Sequence, residues 1–120
     1  MSSFRVERLR AGRDFDEAYK EGRTWVLPGA VMHVRATEGP VVRVGFVAGR
    51  RLGSAVERNR AKRLLREAFR RVVGRFHPSS GADLIFVARR RLLEMEWGEV
   101  VETVAGLLTR AGMWERGPDG

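Results

Sequence analysis

Apolar residues recur along the chain in two rhythms, one helical and one alternating, and the points where the rhythm changes divide it into elements. Asp14-Phe15-Asp16-Glu17 has the form of a helix start, with Asp14 as N-cap and Glu17 three residues on; Phe15, Ala18 and Tyr19 then share one helical face, and Gly22 ends the helix. Trp25-Val26-Leu27 reads as a strand stopped by Pro28-Gly29. Valine-rich alternation over 30–36 and 41–48, on either side of Glu38-Gly39-Pro40, predicts two strands of an antiparallel hairpin. A long helix follows. Ser54 and Glu57 fit a capping box, Gly74 suits the C-terminal cap, and Ala61, Leu64, Leu65, Ala68 and Val72 form its buried stripe. Asn59, Arg63, Arg66 and Arg70 follow the same spacing on the opposite side. Residues 78–81 read as a loop and 83–88 as a buried strand, Leu84-Ile85-Phe86-Val87. A last helix over about 96–111 turns Trp97, Val100, Val101, Val104 and Leu108 inward and Glu99 and Glu102 outward.

The order helix, strands, long helix, strand, helix predicts an α+β two-layer sandwich: one mostly antiparallel sheet with helices on one face, the other face open to a partner. A length of 120 residues suits one domain, expected to be ordered over about 5–112 with a frayed tail from Gly112. Cysteine is absent, which excludes disulfides and thiolate metal sites. Nothing approaches the roughly 20 apolar residues of a membrane span, and Met1-Ser2-Ser3-Phe4-Arg5 is not followed by the apolar core of a signal peptide. The expected location is the cytoplasm.

Charge sharpens the picture. The net charge is +8, and it is not spread evenly. Residues 50–75 hold ten basic side chains, among them Arg50, Arg51, Arg58, Arg60, Lys62, Arg63, Arg66 and Arg70, against only Glu57 and Glu67. The rest of the chain is balanced, so the whole excess sits on the long helix and its approach. A solvated helix face would interleave Glu with its cations, and this one hardly does. Basic residues near a helix start also oppose the helix dipole, which makes sense if an anion meets them there. Arginine dominates; its planar fork grips phosphate and stacks on bases. A nucleic-acid partner follows.

The stretch 44–70 resembles the ribonuclease P protein component. It begins Val44-Gly45-Phe46. It continues through Arg58-Asn59-Arg60, Lys62-Arg63, Leu64-Leu65 and Arg66-Glu67-Ala68-Phe69. The resemblance extends weakly upstream to Asp14-Phe15 and Tyr19 and downstream to Ala88-Arg89, covering about 9–111. It implies a protein subunit that binds a catalytic RNA through the arginine-rich helix. That RNA uses magnesium to remove the 5′ leader of precursor tRNA. It also implies a cleft between that helix and the sheet that holds the single-stranded leader, with Phe15, Tyr19 and His33 as candidate cleft residues, and a left-handed crossover through the helix. RNA contacts would come from Arg50, Arg51, Arg58, Asn59, Arg60, Lys62, Arg63, Arg66, Arg70 and Arg89. The chain departs from the family pattern at Val47 and Gly49, where serine is usual, at Pro28, where arginine is common, and on the second strand, where an aromatic is replaced by His33 or Ala30.

No protein-borne catalytic or metal site is visible: the sequence has no paired carboxylates in a plausible cleft, no His-rich metal spacing and no glycine-rich phosphate loop. Competing readings are a ribosomal or other structural RNA-binding protein, a DNA-binding module, and a protein-only nuclease. The second lacks a helix-turn-helix pairing and the third lacks metal-holding carboxylates.

Overall fold

The computed structural model describes residues 5–9, 19–20, 22–74, 76–78, 81–112 and 114–116. Five strands form the main sheet: β1 (Arg5–Arg8), β2 (Arg23–Val26), β3 (Ala30–Ala36), β4 (Val41–Val47) and β6 (Ala82–Ala88), in the order β1-β4-β6-β3-β2. Two helices, α1 (Ala55–Val73) and α2 (Trp97–Ala111), cover one face. Short 3-10 turns lie at Arg50–Leu52 and Arg90–Glu94. The helix start read at Asp14 lies outside the described residues; Tyr19 and Lys20 are helical.

The α+β two-layer class stands, but the sheet is mixed. β1–β4 and β4–β6 are parallel, while β2–β3 and β3–β6 are antiparallel. The expected hairpin of 30–36 with 41–48 does not form, because β6 inserts between its two arms. β6 is the most apolar strand, and only a central position flanks it on both edges and covers both its faces; all its residues but Val87 are buried. The turn at 37–40 therefore bridges the entry of β6 instead of closing a hairpin. Gly81 makes this possible. Its N–H donates to the Gly39 carbonyl at 2.9 Å and its carbonyl accepts from Thr37 N–H at 3.0 Å. A Cβ on Gly81 would lie 2.6 Å from the Gly39 oxygen and 2.7 Å from that of Val41. β4 reaches its parallel neighbour β6 by a crossover through α1.

Strand alternation sorts the side chains. Met32, Val34, Val42, Val44, Leu84 and Phe86 meet Leu65, Phe69, Val72, Val104, Leu107 and Leu108 in the main core. Phe46, Phe69 and Phe86 form its aromatic centre, with ring centroids 5.7–6.0 Å apart, pairs that each contribute about 0.5–1.5 kcal/mol beyond area burial. Leu64 is only half-buried, and Phe69 completes the stripe of α1 in its place. In α2, Trp97 does not point inward; it is 43% exposed, and Val100, Thr103, Val104, Leu107 and Leu108 make the buried stripe. Trp97 is the first residue after the N-cap Glu96, at the open end of the helix.

The tail expected to fray from Gly112 carries a further strand. Gly112 takes a left-handed cap, and β7 (Trp114–Arg116) pairs antiparallel with β5 (Phe76–Pro78). Pro78, read as the start of a loop, is thus the end of a strand.

Candidate nucleic-acid interface

Helix α1 starts as the sequence requires. Ser54 Oγ accepts from Glu57 N–H at 3.1 Å, and Glu57 Oε1 accepts from Ser54 N–H at 3.0 Å. Arg90, from the turn after β6, adds a clamp that the sequence did not suggest: it pairs with Glu57 at 2.9 Å and donates to the Leu52 carbonyl at 2.6 Å. A Cβ on Gly53 would collide with both partners. The Ser54 N–H, and after it Arg90, hold the Glu57 carboxyl below its ordinary pKa.

This rigid start presents the basic motif to solvent. Asn59, Arg60, Arg63, Arg66 and Arg70 are exposed, while Arg58 and Lys62 are half-buried. Arg58 N–H makes the first helical bond, to Ser54 at 2.9 Å, so Arg58 and Arg60 stand a full turn inside the helix. The dipole cost inferred for them is correspondingly small, since that effect fades beyond the first turn. The Nε of Arg58 is buried and has no hydrogen-bond partner among the described residues. Arg50 and Arg51 are exposed on the 3-10 turn leading into α1. Arg89 is exposed beside the Arg90 clamp and donates to the Leu27 carbonyl at 3.1 Å. Arg66 lies over the Phe46 ring, 5.8 Å from its centroid.

The proposed cleft residues are elsewhere. Met32 and Val34 point under the helices, so His33 between them points to the opposite face. The structure therefore corrects the expectation of a cleft beside the arginine-rich helix that contains His33 and Tyr19. These two do meet: their rings pack edge-on at 4.7 Å, and His33 Nδ1 lies 3.0 Å from the Thr24 hydroxyl. Burial lowers the His33 pKa and raises that of Tyr19, so both are neutral at pH 7. Phe15 lies outside the described residues. Val47 is half-buried on this same face, against the Leu9–Ile85 cluster, and Gly49 is exposed after β4.

The same face holds a charge ladder that sequence reading missed. Arg35, Asp83 and Arg43 sit side by side across β3, β6 and β4. Asp83, fully buried, accepts from Arg35 at 2.6 Å and from Arg43 through both oxygens at 2.8 Å. The available signal was one acid at the head of the most apolar strand. Among the described residues no three His, Cys, Asp or Glu side chains come together to hold a metal ion, and no helix is long and apolar enough to cross a membrane.

A ribonuclease P family profile matches residues 4–112. The ribonuclease P protein component of Herpetosiphon aurantiacus is 41% identical over 110 residues, covering 92% of this chain and 88% of its own. That of Symbiobacterium thermophilum is 42% identical over 110 residues, covering 91% and 94%. The ribonuclease P protein from Thermotoga maritima has a similar structure, with a TM-score of 0.75 at 34% identity over 86% of this chain and 96% of that one.

Proposed function

Because the chain belongs to the ribonuclease P protein family, and so is a protein subunit of that tRNA-processing endoribonuclease with an RNA subunit as its partner, we propose that α1 is the surface that binds the RNA. The observation that carries this reading is the concentration of the chain's whole excess charge at 50–75, on the helix and its approach, with Arg60, Arg63, Arg66 and Arg70 exposed on a capped, clamped frame. The contacts are Arg50, Arg51, Arg58, Asn59, Arg60, Lys62, Arg63, Arg66, Arg70 and Arg89, gripping phosphate by bidentate and charge-assisted bonds.

The opposite face, with Tyr19 and His33, takes the single-stranded 5′ leader of precursor tRNA, and Phe15 is a further leader contact by the family resemblance. A neutral imidazole braced by Thr24 and a tyrosine ring offer a base both an edge and a stacking surface. Cleavage of the phosphodiester belongs to the RNA subunit, with magnesium held there. Among the described residues Asp83 is the one buried carboxylate, and its oxygens are taken by two guanidiniums, so this side chain is not a metal ligand. The place of action is the cytoplasm.

Reconstitution tests the proposal. The protein alone should leave precursor tRNA intact, and adding the ribonuclease P RNA with magnesium should give cleavage at the leader junction. Cleavage by RNA-free protein would overturn the division of labour.

A further inference from the structure

Between edge strand β1 and helix α1, the helix-covered face of the sheet opens into a groove. Its floor is apolar, made by Val6, Phe46 and Phe69, and its rim carries Arg8, Arg66 and Arg70. The register explains the arrangement. Val6 and Arg8 stand opposite Val42 and Val44, whose side chains point under the helices, so both turn toward α1. β1 is the edge strand, and among the described residues no helix covers Val6, which stays 42% exposed. The acid in the lining, Glu7, lies 3.6 Å from Arg5.

An apolar slot rimmed by three guanidiniums, one of which, Arg66, lies over the Phe46 ring, has the chemistry of a nucleotide site: a base enters the slot beside Val6 and stacks on the Arg66 guanidinium, and its phosphates meet the arginines. A lipid chain or an apolar peptide would fill the floor and leave the rim charges unanswered. A base inside a duplex has no free face to offer, so the base must be unpaired. We propose that this groove seats an unpaired nucleotide of the RNA subunit, beside the helix that binds it. The inference rests on the assignment of α1 to that RNA. Arg66 spans the two surfaces, standing exposed on the helix while its guanidinium lies over Phe46.

The chain has no cysteine, so Val6→Cys gives a single attachment point for an aryl-azide photocrosslinker. Glu67→Cys, on the exposed part of α1, gives a second one in a separate variant. Both are assembled with the ribonuclease P RNA and precursor tRNA. The expected result is a crosslink from position 6 to an unpaired nucleotide of the RNA subunit. Crosslinks from position 6 only to paired nucleotides, only to the leader, or to nothing, while position 67 reacts with the RNA subunit, would overturn the groove proposal and leave the role of α1 standing. Failure at both positions would overturn both. As a second measurement, Arg8→Glu should weaken binding of the RNA subunit about tenfold, the scale of one lost charge-assisted phosphate contact, with an unchanged melting temperature. Unchanged affinity would count against the proposal just as directly.

Discussion

At the scale of single residues, the side chains that decide most are acids among many arginines. Asp83 is buried and its two oxygens serve Arg35 and Arg43. Removing one member of a buried ion pair strands the others, so Asp83→Ala should cost about 3–5 kcal/mol of folding free energy in urea denaturation. Asp83→Asn keeps the shape and an acceptor and should fall between that variant and the parent. Glu57 works differently. Its carboxyl has a lowered pKa, first through the Ser54 N–H and then through Arg90. A lowered folded-state value means that the unfolded chain binds the proton more readily. The Glu57 contribution is therefore complete above the ordinary glutamate pKa and is lost as pH falls through the folded value. The stability gap between the parent and Glu57→Gln, read from melting temperatures across pH, should be open at neutral pH and close on acidification. A gap independent of pH would mean that the charge does not matter. Ser54→Ala removes the other half of the box and should cost about 1 kcal/mol.

At the scale of elements, α1 is the test case for function. Arg60 is exposed and stands a turn inside the helix. Arg60→Ala should leave thermal stability within about 0.5 kcal/mol. It should weaken binding of the RNA subunit and reduce the slope of log affinity against log salt by about one, the signature of one lost phosphate contact. The helix was legible because its signals are local: a serine and a glutamate three apart, an apolar stripe, and charge on the other side. The central strand was legible as buried for the same reason. Its neighbours were not. Alternation over 30–36 and 41–48 marks two strands and the turn residues mark a reversal, yet neither says which edges pair. That choice is made by β6, whose apolar run needs cover on both faces and which enters from beyond α1. Arg5–Arg8 shows the same limit from the other side. A four-residue edge strand with three charged side chains carries no apolar rhythm, and only its pairing with β4 makes it a strand. The clamp of Arg90 on Glu57 was equally hidden, since it joins residues 33 positions apart whose types have no special spacing.

At the scale of the whole molecule, the sheet is a partition. Strand alternation sends the core and α1 to one side and Tyr19, His33 and the Asp83 ladder to the other. If α1 binds the RNA subunit and the far side binds the leader, damage to the two sides must separate in experiment. Tyr19 is 42% exposed and packs on His33 alone among the ring contacts described for it, so its truncation should not approach the cost of emptying a core. Stacking on one base contributes about 1–3 kcal/mol. In the assembled enzyme, Tyr19→Ala should therefore weaken binding of precursor tRNA by roughly ten- to hundredfold. Binding of mature tRNA, which has no leader, should hold, and so should binding of the RNA subunit. Arg60→Ala should do the reverse, lowering affinity for the RNA subunit while the assembled enzyme keeps its preference for precursor over mature tRNA. The two substitutions lie on opposite faces with no shared partner among the described residues, so their effects on free energy should add in the double variant. Circular dichroism melts of each variant separate loss of contact from loss of fold. Equal losses for precursor and mature tRNA in a folded Tyr19→Ala protein would place the leader somewhere other than this face, because a stacking contact with the leader cannot weaken a ligand that lacks one.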